Sequence, residues 1–301
     1  MTAGDPQKKI WTILELLQWG TTYLNDKGFD EARLTVELLL AYSLQLSRIQ
    51  LYTNFDRPLR ESELSVFKAL FQRRLQHEPV QYILGRTEFM GMEFEVDRRV
   101  LIPRPETEVL VEEAIHHIRE NLGGKEVSVL DVGTGSGCIA VSLAKMAENC
   151  RVLAIDISGD ALDLAKGNAA RHGVGDRVTF QHLDILRIGK EGFAERFDMI
   201  VSNPPYISAE EFKSLDPEIR DYEPPPAATD GGDGLAFHRH IADNGQGWLL
   251  DGGSVIVEFA YNQSERVSRV FGEKGWQKCR VVKDYSGTPR CLFALHPGGA
   301  S

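Results

Sequence analysis

Beyond Lys125 the chain alternates short apolar runs with stretches of helical spacing, and this alternation limits the possible fold more than any other feature. Val127 to Val132, Arg151 to Ile155, Val178 to His182 and Phe197 to Val201 have the length of strands, and Ile139 to Ala147 and Ala161 to His172 carry the helical period between them. After a long loop come a helix over Leu235 to Leu250, a strand over Gly253 to Phe259, a helix over Gln263 to Phe271, and two closing strands near Trp276 to Val282 and Arg290 to Leu295. Such a succession predicts an α/β domain with a mainly parallel sheet covered on both faces, and it places ligands at the carboxyl ends of the strands. Functional residues are therefore expected in the loops that follow those strands.

Residues 1 to 85 read differently. Apolar positions recur at helical spacing in Ile10, Ile13, Leu14, Leu17, in Leu34, Leu38, Leu39, Leu46, and in Leu64, Phe67, Leu70, Phe71, which predicts a small helical bundle serving recognition. Asp30 and Ser62 stand where side chains can accept from free amides of a first helical turn. From residue 86 to 102 the pattern shortens, with Phe89, Met92, Phe94, Val96 and Val100 around Gly91, and predicts a β-hairpin linker. Pro103 and Pro105 end it, and Pro105 suits the first position of a helix reaching about Asn121. The third segment, residues 103 to 301, is the α/β domain.

With 301 residues, 42% apolar and 26% charged, the chain has the composition of a soluble globular protein. Met1 to Lys9 is polar with no apolar run of signal length behind it, and Glu37 interrupts the apolar stretch Leu34 to Leu46, so neither export nor a membrane span is expected. Cys138, Cys150, Cys279 and Cys291 lie far apart without metal-ligand spacing, which predicts buried, inert thiols, no metal site and a cytoplasmic location. Net charge is -10, and because the first 85 residues balance, the acid excess lies wholly in the remainder. No basic run of motif length is present to neutralise phosphates, so nucleic acid is not expected as a direct partner.

Asp131, Val132, Gly133, Thr134, Gly135, Ser136, Gly137 form a turn between the first strand of the domain and its helix, with glycine where backbone must bend and lie close to a ligand. Cys138 stands where a dinucleotide fingerprint would carry its third glycine, so the pattern departs from G-x-G-x-x-G. Asp156 ends the next strand, where a carboxylate can accept from both ribose hydroxyls of an adenosyl group. Asp184 occupies the following strand end with the apolar Ile185 behind it, a pair suited to an adenine amino group and ring. Three strand ends each carrying an aspartate favour an adenosyl ligand, and a sulfonium cofactor, S-adenosylmethionine (SAM), needs no pyrophosphate cradle.

Asn203, Pro204, Pro205 and Tyr206 follow the strand Phe197 to Val201. An amide or exocyclic amine is a poor nucleophile because its lone pair is delocalised. A site that methylates one must hold the NH2 by hydrogen bonds that disfavour the planar form and aim the lone pair at the methyl. The Asn203 side-chain carbonyl and the Pro204 carbonyl are suitable acceptors, proline fixes them, and Tyr206 can stack on the flat group. This is catalysis by orientation and selective hydrogen bonding. The segment from Ile207 to Asp233 exceeds an ordinary connection and predicts a lid over substrate, with Glu223, Asp230 and Asp233 as its charges. The eight histidines form no ligand or triad pattern.

These motifs together resemble the peptide-chain-release-factor glutamine methyltransferases, the HemK/PrmC family. The likeness runs over nearly the whole chain: Ala32, Arg33, Leu34 with Glu37, Leu38, Leu39; Pro79 to Gly85; Phe89 to Phe94; Leu101 to Glu108; the glycine turn; Asn203 to Ile207; Glu223 to Leu235; and Lys283 to Arg290. The resemblance implies a class I SAM-dependent methyltransferase fold, Rossmann-like, with a mainly parallel seven-stranded sheet, a C-terminal antiparallel hairpin and a small N-terminal helical domain that helps grip a protein substrate. It implies methyl transfer from SAM to the side-chain nitrogen of the glutamine in the Gly-Gly-Gln motif of bacterial release factors. Carried over by position, SAM lies against Asp131, Gly133 to Gly137, Asp156, Asp184, Ile185 and Asn203, and the glutamine against Asn203 to Tyr206. Phe89, Arg104 and Glu106 line the cleft between the domains in the same reading. Ala228 departs from the leucine common after the Glu-Pro pair.

Asn-Pro-Pro-Tyr also suits adenine amino-methyltransferases acting on DNA, against which the acidic balance and the lack of a basic target-recognition domain argue. A ribosomal-protein glutamine methyltransferase is a nearer alternative, and Arg104 to Glu108 favour the release-factor type. A binding protein without catalysis would not need the cofactor turn beside Asn203.

Overall fold

The structure is a computed structural model and describes residues 9–298. Contacts divide the chain into two compact units, Met1–Gly85 and Arg86–Ser301.

The first unit is helical: α1 (Ile13–Asp26), α2 (Ala32–Leu44), α3 (Arg48–Thr53), α4 (Glu61–Leu75) and α5 (Val80–Leu84). Thr12 caps α1 in a box with Glu15, and Ser47 caps α3 in a box with Gln50, so free first-turn amides are satisfied by side chains. The expected caps at Asp30 and Ser62 do not form. Glu31, in left-handed conformation, precedes α2 with no side-chain cap, and α4 starts one residue before Ser62, with Glu63 reaching back to the Arg60 amide. The core joins Ile13, Leu16 and Leu17 of α1 to Val36, Leu39 and Leu40 of α2 and to Phe67 and Phe71 of α4. Each such burial contributes about 1.5–3 kcal/mol relative to exposure. Ile10, expected on the apolar face, lies outside α1 and is exposed. Glu37 is buried in α2, where Arg33, Arg48 and Tyr52 bind its carboxylate.

The second unit opens with the hairpin β1 (Arg86–Phe89) and β2 (Met92–Glu95), paired antiparallel. It is part of this unit's core rather than a separate linker: Phe89 and Phe94 pack among Leu110, Val111 and Ile139. Asn168 ties it down, accepting from the Glu95 amide at 2.8 Å and donating to the carbonyls of Glu95 and Ser136 at 3.1 and 2.9 Å.

There follow α6 (Pro105–Asn121), β3 (Val127–Val132), α7 (Cys138–Met146), β4 (Cys150–Asp156), α8 (Gly159–Arg171), β5 (Val178–His182), β6 (Phe197–Ser202), α9 (Ala209–Phe212), α10 (Pro217–Tyr222), α11 (Pro225–Ala228), α12 (Ala236–Trp248), β7 (Leu249–Glu258), α13 (Ser264–Glu273), β8 (Gln277–Lys283) and β9 (Pro289–Leu295). As expected, α6 starts on Pro105, whose missing amide hydrogen costs nothing at that position. The seven-stranded sheet has the order β5-β4-β3-β6-β7-β9-β8. Its first five strands in that order run parallel, and β9 is antiparallel to both β7 and β8. After β3 the chain moves outward through β4 and β5 and then returns to β6 on the other side of β3. That reversal opens a crevice at the carboxyl ends of β3 and β6, where the turn from Gly133 and the motif from Asn203 emerge. The long segment after β6 is not formless. It holds α9, α10 and α11, with a bridge between Ile207 and Thr229.

Candidate active site

A cavity of about 550 Å3 occupies this crevice, and its walls include Gly133, Thr134, Gly135, Ser136, Asp156, Asp184, Ile185, Asn203, Pro204 and Pro205. This volume falls within the roughly 300–1,000 Å3 usual for small-molecule sites. Residues far apart in the chain and expected to act together are thus brought to one space by the ends of β3, β4, β5 and β6.

Asp156 ends β4 on the cavity wall. Its Oδ2 accepts from the Gly135 amide and its Oδ1 from the Ser158 amide, both at 2.9 Å. Each oxygen keeps a further lone pair for a hydroxyl. Burial raises the pKa of this carboxyl, and the amides of Ser158, Gly135 and Ile157 oppose the rise. Gly133 and Gly135 both have positive φ, and a Cβ built on either would point into open space. Ligand can therefore approach the turn backbone without a side chain between. Ile157 and Leu186, both on the cavity wall, expose 58% and 42% of their surface and offer apolar faces to a flat ring. Asp184, on the cavity wall, also caps the short 3-10 turn Ile185–Arg187 through the Leu186 amide at 3.1 Å. A carboxylate with spare lone pairs, an open glycine turn and apolar faces in one cavity fit an adenosyl cofactor.

Three expected site residues do not line the cavity. Asp131 lies beneath the turn, fully buried, and its Oδ2 accepts from the Thr134 hydroxyl at 2.6 Å. Burial pushes its pKa up to about 7, with Thr134 opposing. Gly137 faces α8, where its Cβ would stand 3.0 Å from Ala165 Cβ, and its φ is +79°. This glycine serves helix packing. Gly137→Ala is expected to destabilise the fold by about 1–3 kcal/mol, read from urea unfolding, and unchanged stability would show that α7 and α8 adjust freely. Tyr206, expected to stack on a flat substrate group, turns inward: its hydroxyl donates to Glu258 Oε1 at 3.2 Å. Burial and the neighbouring Glu258 raise its pKa well above the usual phenol value.

Asn203 reaches the cavity with its amide oriented by α6, because Nδ2 donates to Thr107 Oγ1 at 3.0 Å. The backbone after it is clamped. Gln263 Nε2 donates to the Tyr206 carbonyl at 2.8 Å, the Ile207 amide donates to the Ala228 carbonyl at 3.1 Å, and a Cβ on Gly234 would lie 2.1 Å from the Tyr206 oxygen. Thr107, Glu258, Gln263 and Gly234 are contributors that the sequence reading missed. Thr107 and Gly234 at least sit inside the stretches Leu101 to Glu108 and Glu223 to Leu235, and Glu258 interrupts an apolar strand at its end.

The segment over the crevice is pinned by charge. Glu223, expected as a charge of the lid, is buried and ion-pairs with Arg104 on the cavity wall, and Arg98 stacks 4.5 Å from the Tyr222 ring centre. Burial raises the Glu223 pKa and Arg104 opposes it. Asp230 accepts from the amides of Gly232, Gly234 and Ala236, and Asp233 binds Arg239 and Arg266. Phe89 is a core residue, and Glu106 pairs with Arg290 at 3.5 Å. Of the cysteines, Cys138, Cys150 and Cys291 are buried, whereas Cys279 is exposed, against expectation.

Residues 15–85 match the PrmC N-terminal domain, and residues 124–224 match a methyltransferase domain. The release factor glutamine methyltransferase of Geobacter sulfurreducens is 44% identical over 285 residues, spanning 94% of this chain and 96% of that protein. This chain belongs to the release factor glutamine methyltransferase family. The family's proteins from Chlorobaculum tepidum and Rhodopirellula baltica are 41% and 39% identical, over 99% and 95% of their own lengths. The mainly parallel seven-stranded sheet with antiparallel β8 and β9 is accordingly that of a class I SAM-dependent methyltransferase. The helical unit of residues 15–85 is the part of the chain that matches the PrmC N-terminal domain.

Proposed function

We propose that this chain transfers a methyl group from SAM to the side-chain amide nitrogen of the glutamine in the Gly-Gly-Gln motif of bacterial peptide chain release factors. The observation that carries the reading is the placing of Asn203, with its amide held by Thr107, on the wall of the cavity that Asp156 and the glycine turn also line.

SAM, when bound, supplies an electrophilic methyl on a sulfonium. Asp156 would hold the ribose hydroxyls, Gly133 to Ser136 the cofactor backbone, and Asp184 with Ile185 the adenine. Asn203 Oδ1 and the Pro204 carbonyl accept from the target NH2, draw its hydrogens out of the amide plane and so free the lone pair. SAM would give its methyl to that nitrogen and leave as the thioether, and the nitrogen would release a proton to solvent. Pro204 and Pro205 keep the acceptors rigid, which turns binding energy into orientation. Tyr206 supports this geometry from behind through Glu258.

In this reading residues 1–85 recognise the protein substrate, and α10 and α11 with the Arg104–Glu223 pair form the rim that receives its loop. No helix among the described residues is long and apolar enough to cross a membrane, and a cytoplasmic location suits an enzyme of translation. Nucleic acid is not proposed as a partner, since the acid excess lies in the α/β unit that bears the cavity. Presenting labelled SAM with a release factor, a mixture of ribosomal proteins, or duplex DNA is expected to label the release factor alone. Label on ribosomal protein or on DNA instead would overturn the assignment.

A further inference from the structure

Proline fixes φ and carries no amide hydrogen, and a residue that precedes proline is held to extended ψ. Residues 203–205 therefore form a stiff segment, with φ fixed at Pro204 and Pro205 and ψ confined at Asn203 and Pro204. Such a segment keeps its own shape, yet neither proline can donate a hydrogen bond to tie it in place, so its direction is set at its ends. Upstream is Ser202, the last residue of β6, paired with Val132 and Val257 and donating from Oγ to the Val132 carbonyl at 2.8 Å. Downstream is Tyr206, whose carbonyl is held by a glutamine from a distant part of the chain.

That glutamine, Gln263, leads into α13 and is 3% exposed. Its Oε1 accepts from the Ala260 amide at 3.2 Å, which turns Nε2 toward the Tyr206 carbonyl, reached at 2.8 Å. Its main chain is locked as well: the amide donates to the Ala260 carbonyl at 2.7 Å, and the carbonyl accepts from the Val267 amide at 2.9 Å. Gly234 leaves the room for this bond. Its φ is +78°, and a Cβ there would stand 2.1 Å from the Tyr206 oxygen and 2.9 Å from Gln263 Nε2. Resting on the methyl-transfer reading, we propose that Gln263 is a positioning residue: by holding the Tyr206 carbonyl it fixes the direction of residues 203–205, and with it the two acceptors that meet the target nitrogen.

A carbonyl only accepts, so the group that faces it must donate. Methionine at 263 fills the same length without a donor and lets the stiff segment swing about the bonds beyond Pro205. Glutamate keeps the shape but donates only when protonated. The charged groups around this position are Glu210 and Glu211 of α9, Asp230 and Asp233 before α12, and Arg266 of α13. Asp233 is paired with Arg239 and Arg266, Glu211 accepts from Ser208, and the Tyr206 hydroxyl is turned to Glu258. Burial and the acidic neighbours favour the protonated form of an introduced glutamate, and Arg266 opposes them. Such a variant therefore recovers its bond to Tyr206 as pH falls.

The test is methyl transfer to a release factor by the full-length chain between about pH 5.5 and 9, with SAM calorimetry and urea unfolding on the same proteins. Gln263→Met is expected to lower kcat by about 10²-fold, as a displacement of about 1 Å in such a site does. KM for the release factor and SAM affinity should each stay within about threefold of wild type, because the lost orientation acts on the transition state. The rate of Gln263→Glu divided by that of wild type is expected to be smallest at the alkaline end and to rise by about tenfold toward acid, the worth of one hydrogen bond. A merely structural loss does not give that sign. Should Gln263→Met unfold under assay conditions, the Gln263→Glu ratio decides. A ratio that is level or falls toward acid would overturn the proposal and leave the methyl-transfer reading standing. So would a folded Gln263→Met with kcat within about threefold of wild type, or one whose loss lies in SAM affinity and not in kcat. No transfer by wild type would overturn the methyl-transfer reading and this proposal with it.

Discussion

Asn203→Ala is expected to lower kcat for methyl transfer by about 10²–10³-fold, the cost typical of losing one preorganised hydrogen-bonding group at a reacting atom. The variant also loses the bond to Thr107, and no charge is removed. SAM affinity should therefore change by less than about tenfold, which is the worth of one ordinary hydrogen bond. Single-turnover transfer and calorimetric SAM binding separate the two quantities. A variant whose SAM affinity falls as far as its rate would place Asn203 with the cofactor and not with the acceptor nitrogen.

Asp156→Ala should give the converse result. The carboxylate joins the turn after β3 to the loop after β4 through the amides of Gly135 and Ser158. Its remaining lone pairs are those assigned to the ribose. Removing a charged acceptor of this kind costs about 1.5–3 kcal/mol, so SAM is expected to bind up to roughly 10²-fold more weakly. The released amides of the glycine turn add to that loss. Because burial raises the pKa of Asp156 and only the ionised form accepts from two hydroxyls, wild-type SAM affinity should fall as pH drops through that raised value. Affinity untouched by the substitution would remove Asp156 from the cofactor site.

What the sequence revealed, and what it concealed, follows from how local each signal is. Asp156 and Asn203 were readable because each ends an apolar run of strand length, and parallel strands deliver such ends to one crevice. Gly133 and Gly135 were readable for the same reason. Gly137, two residues after Gly135, obeys the same pattern but meets Ala165 of α8, a contact no local pattern contains. Tyr206 was expected to face substrate because it follows the prolines, yet its hydroxyl donates to Glu258 and its carbonyl accepts from Gln263. Thr107 and Glu258 come from α6 and β7, and only the return of the chain past β3 brings them beside Asn203. The caps at Asp30 and Ser62 failed through another limit: helix ends shift by a residue or two when a neighbouring side chain, here Glu63 on the Arg60 amide, satisfies the first turn better. The segment Ile207 to Asp233 looked too long for a connection because its helices α9, α10 and α11 are shorter than any periodicity window.

The most direct test of the central claim is to incubate the enzyme with methyl-labelled SAM and a purified release factor, beside the same factor with the glutamine of its Gly-Gly-Gln motif replaced by alanine, and to locate the label by fragment mass. The account predicts label on the unaltered factor only, at that glutamine's side-chain nitrogen. Label on both factors, or at any other residue, would contradict it.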